Sequence, residues 1–119
     1  MALTLTDDNF AASTETDKLV MLDFWATWCG PCLSLAPTVE AIAEDYKGKM
    51  VVGKVNVDEN PAVSFKYKIR SLPTILFVKG GKVVDKQIGN VPRAALEAKI
   101  QKHIYCLLYT SDAADEWLR

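Results

Sequence analysis

Residues 19–32 read LVMLDFWATWCGPC, and this stretch decides the fold. Its beginning, Leu19 to Trp25, is a nearly continuous apolar run, which is typical of a central strand covered on both faces. Its end, the WCGPC motif at 28–32, is followed by apolar residues at helical spacing, so the cysteines stand where a strand passes into a helix. A cysteine pair at this spacing can close a small disulfide across the first helical turn. Because the free N–H groups and the dipole of a helix N-terminus favour a thiolate, the motif predicts a reactive dithiol.

Length and composition set the outer limits of this interpretation. The chain has 119 residues, of which 50% are hydrophobic and 24% charged, and this indicates one ordinary globular domain with its own core. Its formal net charge of -1 gives no footprint for nucleic acid or an anionic membrane, and no apolar run reaches transmembrane length. Residues 1–18 are polar and acidic, without the pattern of a secretory signal. We therefore expect a cytoplasmic protein, in which a CxxC pair serves redox or metal chemistry.

The remaining patterns predict an α/β protein with the element order β-α-β-α-β-α-β-β-α. The expected helices run from a Thr6 cap to about Asp17, from Cys32 to Tyr46 with a kink at Pro37, from an Asn60 cap to about Tyr67, and from Pro92 with Leu96, Ile100 and Ile104 on one face. Strands are expected at 19–25, at 50–57, and at 74–79 and 82–88 around a Gly80-Gly81 hairpin signal. Together these elements predict a central mixed five-stranded sheet flanked by four helices.

This order, with WCGPC after the second strand, resembles the thioredoxin family over about residues 3–104. Further matching stretches are Asp23-Phe24-Trp25-Ala26, Ala36-Pro37, Asn56-Val57-Asp58, Arg70-Ser71-Leu72-Pro73-Thr74, Gly80-Gly81 and Gly89. The resemblance implies a thioredoxin fold in a domain at 1–104, general reduction of protein disulfides by dithiol–disulfide exchange, and recycling by a thioredoxin reductase. It implies no bound cofactor beyond the redox-active Cys29–Cys32 disulfide. Leu33 departs from the family, which often has a basic residue there, so a charge that would favour the thiolate is missing.

The two cysteines receive different roles in this interpretation. We expect Cys29, at the strand-to-helix junction, to attack a substrate disulfide and form a mixed disulfide. Cys32, one turn inside the helix, would then attack the Cys29 sulfur and free the reduced substrate. Gly30 leaves space beside Cys29 for a substrate backbone, and Pro31 fixes φ at an early helical position. An inert structural disulfide is the alternative for the same pair.

Asp23 and Lys54 are charged residues inside apolar strands. A buried carboxylate is costly unless it is protonated or paired, so desolvation should raise the pKa of Asp23. Asp23 matches the family's buried aspartate, which resembles a general acid/base for Cys32 acting through water. If the two strands are neighbours, the Lys54 ammonium reaches Asp23 and moderates the shift. The alternative is that each side chain points to a solvated edge.

A substrate groove is expected beside the cysteines. Pro73 resembles the family's cis-proline, which faces the disulfide, and the Leu72 backbone would then offer a sheet-like edge to an extended substrate segment. Trp28, Gly89 and Val91 would complete a shallow apolar groove.

Two other classes of function stay open. A redox-silent binding subunit would use the same groove for protein partners without turnover. A zinc module would add His103 and Cys106 to the CxxC pair as a Cys3His set. We expect no metal, because the stiff Gly30-Pro31 turn favours redox chemistry, and we interpret His103 as a solvated surface histidine.

Residues 105–119 have no counterpart in the family. They read YCLLYTSDAADEWLR and resemble translated sequencing-adaptor read-through, so our hypothesis is a gene-model artefact. We expect a monomer that forms a Cys106–Cys106 disulfide dimer by slow air oxidation, because Cys106 on a prolonged last helix would lie near lysines that favour its thiolate.

Overall fold

A computed structural model describes residues 1–104. In chain order the elements are β1 (Leu3–Leu5), α1 (Phe10–Thr14), β2 (Val20–Trp25), α2 (Gly30–Asp45), β3 (Val51–Asn56), α3 (Pro61–Lys66), β4 (Thr74–Lys79), β5 (Lys82–Ile88) and α4 (Arg93–Ile104). One sheet has the strand order β1-β3-β2-β4-β5, in which β1, β3 and β2 are parallel and the two remaining pairings are antiparallel. The predicted mixed five-stranded sheet with four helices is confirmed. The tail at 105–119, with Cys106 and the hypotheses about both, lies outside the described residues.

Helices cover both faces of the sheet. On one face, Leu35 of α2 and Leu96 of α4 pack against Met21 of β2 in a single apolar cluster. On the other face, a second cluster joins Phe10 of α1 and Val63 of α3 to the opposite side of the same strand. β2 is therefore buried along nearly its whole length, as its continuous apolar run predicts.

The first helix begins later than predicted, and Thr6 does not cap it. α1 spans five residues, and Thr6 instead forms a turn in which its Oγ1 accepts a hydrogen bond from the Asn9 N–H at 3.2 Å. The neighbouring Asp7 carboxylate accepts from the backbone N–H groups of Ala62 and Val63 at 3.2 and 2.9 Å. Asp7 therefore caps α3, a helix far along the chain.

Asn60 stands at the N-cap position of α3, yet its side chain makes no cap hydrogen bond there. Its Oδ1 accepts from the Asp7 N–H at 2.9 Å, and its Nδ2 donates to the Asn56 carbonyl at 3.0 Å. The predicted Asn60 cap is thus wrong in its bonding, because Asp7 supplies the cap and Asn60 holds Asp7 in place. We call this reciprocal pair the Asp7–Asn60 clasp.

The elements around the cysteines and the hairpin follow the sequence closely. α2 begins at Gly30, two residues before the predicted start, and runs through Pro37 to Asp45. Gly80 and Gly81 have φ values of 61° and 80°, which favour glycine and give the tight turn between β4 and β5. None of the helices within residues 1–104 is long and apolar enough to cross a membrane.

Candidate active site

Cys29 and Cys32 form a disulfide at the N-terminus of α2, with their Cα atoms 5.3 Å apart. Cys29 is the N-cap residue, and its sulfur accepts a hydrogen bond from the Cys32 N–H at 3.2 Å. This places the Cys29 sulfur against the free N–H groups at the positive end of a sixteen-residue helix. The same geometry that caps the helix therefore favours negative charge on the Cys29 sulfur once the disulfide is reduced.

The two sulfurs differ in their access to solvent. A cleft of about 470 Å³ opens beside the disulfide, and Cys29 lines it whereas Cys32 does not. Cys29 keeps 5% of its surface exposed and Cys32 keeps 2%, since both pack on Ala26. A substrate sulfur can therefore approach Cys29 from the cleft, while Cys32 is buried in an apolar cluster with Ala26.

Trp28, Gly30 and Pro31 line the cleft, as predicted for the groove. The exposed Trp28 indole donates through Nε1 to Asp58 Oδ2 at 2.7 Å, which holds the ring beside the disulfide. A Cβ on Gly30 would meet nothing within 4 Å, so the space next to Cys29 is open to a backbone. Asp58 was not predicted for the site, although it belongs to the Asn56-Val57-Asp58 match.

The other predicted groove residues divide into two groups. Leu72 lines the cleft, and its peptide bond to Pro73 is cis. Pro73 itself is buried, and its carbonyl accepts a hydrogen bond from the Gly89 N–H at 2.9 Å, which joins the two predicted groove residues. Val91 packs against the core formed with α2 and α4. Four residues that line the cleft were not predicted from the sequence: Val57, Ser64, Ile69 and Arg70. Ile69 and Arg70 directly precede Ser71-Leu72-Pro73, and this position was the sequence signal for them.

Asp23 lies in the middle of β2 on the face covered by α2. It is 1% exposed, and its Oδ1 has no hydrogen-bond partner among residues 1–104. Burial raises the pKa of Asp23 to about 7, with Lys54 lowering it and Glu40 raising it further. The prediction of a buried carboxyl with a raised pKa is therefore confirmed, and the solvated-edge alternative is excluded for Asp23.

Lys54 lies directly opposite Asp23 in the β2–β3 register, so the two strands are neighbours. The Lys54 ammonium also interacts with two other groups: Nζ lies 3.6 Å from Glu40 Oε2 on α2 and 5.1 Å from the centre of the Trp25 ring. Glu40 also accepts the Ala2 N–H at 2.9 Å. Glu40 was not predicted as a site residue. In the sequence it is only an acidic residue beside the apolar stripe of α2.

His103 is not the solvated histidine that we expected. Its Nε2 lies 3.0 Å from Asp85 Oδ2, and Lys99 Nζ lies 3.1 Å from Asp85 Oδ1. Burial raises the pKa of Asp85, but hydrogen bonds from the Lys86 N–H, His103 and Lys99 outweigh it and lower that pKa to about 2. Over the described part of the chain, no group of three or more His, Cys, Asp or Glu residues could hold a metal ion. The zinc alternative, which also needed Cys106, gains no support there.

Comparisons with known proteins agree with this geometry. The family model described as Thioredoxin matches residues 1–102. A thioredoxin of Chlorobaculum thiosulfatiphilum is 51% identical over 100 residues, covering 83% of this chain and 93% of that protein. Thioredoxin 2 of Chlorobaculum tepidum is 50% identical, with 83% and 92% covered. Thioredoxin 1 of Nostoc sp. is 47% identical over 104 residues, with 87% and 97% covered.

Proposed function

The chain belongs to the thioredoxin family and is a thiol–disulfide oxidoreductase, and we propose that it reduces protein disulfides with Cys29 as nucleophile and Cys32 as resolving thiol. One observation carries this assignment of roles: Cys29 lines the cleft and Cys32 does not. The N-cap position of Cys29 supports it, because the Cys32 N–H already points at the Cys29 sulfur.

The proposed cycle begins with the reduced dithiol. The Cys29 thiolate attacks one sulfur of a substrate disulfide, the substrate S–S bond breaks, and a mixed disulfide forms while the leaving sulfur takes a proton. Cys32 then gives its proton to the Asp23 carboxylate through water and attacks the Cys29 sulfur. The mixed disulfide breaks, the second substrate thiol leaves, and the Cys29–Cys32 disulfide closes.

Asp23 suits this proton transfer because its pKa of about 7 lets it hold or release a proton near neutral pH. Lys54 and Glu40 set that pKa from opposite sides, since one lowers it and the other raises it. In this proposal Asp23 moves the proton, and Lys54 and Glu40 are positioning residues.

The cleft supports a binding mode for the substrate chain. An extended segment would lie along the Leu72 backbone, with Trp28 and Val57 as apolar walls and the open side of Gly30 admitting its backbone. Pro73, Gly89 and Val91 adjoin this segment in the proposal, with Pro73 joined to Gly89 by a backbone hydrogen bond and Val91 packed on the core.

We further propose that a thioredoxin reductase supplies the electrons, that the protein works as a cytoplasmic monomer without a bound cofactor, and that residues 1–104 suffice. A chain ending at Ile104 should keep its turnover with thioredoxin reductase, NADPH and insulin. Cys106→Ser in the full chain should remove any disulfide dimer seen on non-reducing gels. Loss of folding in the shorter chain would contradict the domain boundary.

Matched single-cysteine variants test the roles. Cys29→Ser should abolish insulin reduction driven by dithiothreitol. Cys32→Ser should capture disulfide substrates as stable mixed disulfides on Cys29, because the resolving thiol is gone. If the wild-type protein binds substrates but does not reduce insulin, it is a redox-silent binding subunit. If Cys32 is the thiol alkylated first in the reduced protein, the two roles are reversed.

A further inference from the structure

A second cleft, of about 360 Å³, lies next to the active-site cleft on the α3 face of β4 and β5. Its floor is apolar and includes Leu76, Val83 and Ile88. Val83 and Ile88 are 47% and 48% exposed although both lie in β5. α3 is only six residues long and β5 is an edge strand of the sheet, so no helix within residues 1–104 covers this corner.

Three cations rim this apolar floor: Lys68, Arg70 and Lys86. All three are exposed, and the residues that line the cleft include no acid. Within residues 1–104, none of the three takes part in a salt bridge. On the opposite face of the same hairpin, by contrast, Lys99 is paired with Asp85. The second cleft therefore presents apolar surface together with three cations that form no salt bridge within residues 1–104.

The second cleft adjoins the active-site cleft. Ile69 and Arg70 line both, so the two share one wall beside the Leu72–Pro73 bond. A substrate chain whose cysteine meets Cys29 and which extends past Ile69 would enter the second cleft next. At about 3.3 Å per residue, a few residues of extended chain cross such a wall.

We propose that the second cleft is a specificity subsite that takes an acidic segment flanking the reactive cysteine of the protein substrate. Carboxylates of that segment pair with Lys86, Lys68 and Arg70, and an apolar neighbour covers Val83 and Ile88. This inference rests on the proposed function, because it adds a subsite to the same substrate path. Charge complementarity favours an acidic protein segment, and the wall shared with the Cys29 cleft favours a substrate chain over an unrelated partner.

The test uses pairs of disulfide-bridged peptides that differ only in charge. Each pair carries Glu-Glu or Gln-Gln, placed at successive positions on either side of the reactive cysteine, and kcat/KM is measured for both members. The readout is the Glu/Gln ratio of kcat/KM, so that a general loss of activity cancels. We expect a ratio of about 3 to 10 at low salt, on one side of the cysteine only, because exposed ion pairs contribute modestly and in a geometry-dependent way. The ratio should fall towards 1 at 0.5 M salt, because the screening length between charges is then roughly 4 Å.

Variants assign the preference to the cleft. The double variant Lys68→Gln and Lys86→Gln should bring the ratio close to 1, whereas Lys49→Gln, an exposed lysine in the turn before β3, should leave it unchanged. A ratio near 1 in the wild type, or a ratio that the double variant retains, overturns the proposal. Self-association or binding to anionic vesicles that the double variant abolishes, without any peptide preference, would assign the cleft to a second copy or a lipid surface and also overturns it. Absence of turnover with every peptide would instead contradict the proposed function.

Discussion

Asp23 and Asp85 lie on the same face of one sheet, yet they titrate about five pH units apart: the pKa of Asp23 is about 7 and that of Asp85 about 2. Asp23 is opposite Ile75 in the β2–β4 register, and Asp85 is opposite Phe77 in the β4–β5 register. Burial pushes both pKa values upward. Burial alone therefore does not explain why the pKa of Asp85 is lowered while that of Asp23 is raised.

The difference comes from the hydrogen bonds that each carboxylate receives. Asp85 accepts from a backbone N–H at 2.9 Å and is held by Lys99 and His103 of α4, so its charged form is stabilised. The Oδ1 of Asp23 finds no partner in the described fold, and the nearby Lys54 is shared with Glu40. Asp85 joins α4 to the edge of the sheet, whereas Asp23 has a pKa close to neutral pH.

Removing the charge of Asp23 should give the largest effect. Asp23→Asn should slow insulin turnover and raise the free energy of unfolding by up to about 4 kcal/mol at pH 8, because burying the carboxylate costs about 1.4 kcal/mol per pH unit of raised pKa. The raised pKa means that the folded state holds this proton more tightly than the unfolded state. The wild type should therefore lose stability between about pH 4 and pH 7, and the variant should not. Urea titrations of the oxidised proteins from pH 4 to pH 8 measure the gain in stability of the variant and the pH dependence of the wild type. An unchanged urea midpoint at pH 8 would contradict a destabilising Asp23.

Asp85→Asn should have the opposite sign and a smaller size. The free energy of unfolding should fall by about 1 kcal/mol at pH 7, because Lys99 and His103 lose their carboxylate partner in a partly exposed site. Since the pKa of Asp85 is lowered, its contribution is present above about pH 4 and is lost as the pH falls towards 2. Insulin turnover should not change. A loss of insulin turnover in Asp85→Asn as large as that in Asp23→Asn would contradict a distinct catalytic role for Asp23.

Lys54→Gln should sharpen the contrast by raising the pKa of Asp23 further, since the charge that lowers it is removed. Titration of the Asp23 carboxyl carbon by NMR should show a higher midpoint, and the acidic limb of the pH–turnover profile should move to higher pH with it. An unchanged or lower Asp23 midpoint would contradict a role of Lys54 in stabilising the Asp23 carboxylate.

Glu40→Gln should narrow the contrast and is the smallest of these effects. The pKa of Asp23 should fall, because Glu40 raises it and because Lys54 then has one carboxylate fewer to pair with. Glu44→Gln is the matched control, as Glu44 lies one turn further along α2 and pairs with the N-terminal ammonium of Met1 at 3.0 Å. NMR titration of Asp23 measures its pKa in both variants. Equal pKa shifts in the two would mean that the Asp23 pKa responds only to the overall charge of α2.

The sequence predicted Asp23 better than Asp85, and the reason is physical. A carboxylate inside a continuous apolar strand is conspicuous, so its burial and raised pKa follow from local pattern alone. Asp85 lies on an edge strand of alternating character, and its partners come from α4, which no local pattern connects to it. The same limit explains why Glu40 and His103 were missed or misread: each depends on which helix face meets which strand.

The fold shows the same division. β2, the start of α2 and the glycine hairpin depend on neighbours in sequence and were predicted nearly residue by residue. The Asp7–Asn60 clasp was not, because either residue alone is an ordinary helix cap. The substrate cleft falls between these cases: Trp28, Gly30, Pro31 and Leu72 follow from the motifs, whereas Ser64 of α3 lines it only through tertiary packing.

The Asp7–Asn60 clasp also bears on the order in which the chain can assemble. Asp7 meets its partners at separations of 53 to 56 residues, and within residues 1–104 β1 pairs with β3 alone. Both contacts therefore require about fifty intervening residues to be brought into place. Closing so long a loop costs entropy that short-range contacts do not, so the hairpin of β4 and β5 should form ahead of the docking of β1. We therefore expect β1 and the Asp7–Asn60 clasp to form late in folding, after the local contacts of the β4–β5 hairpin.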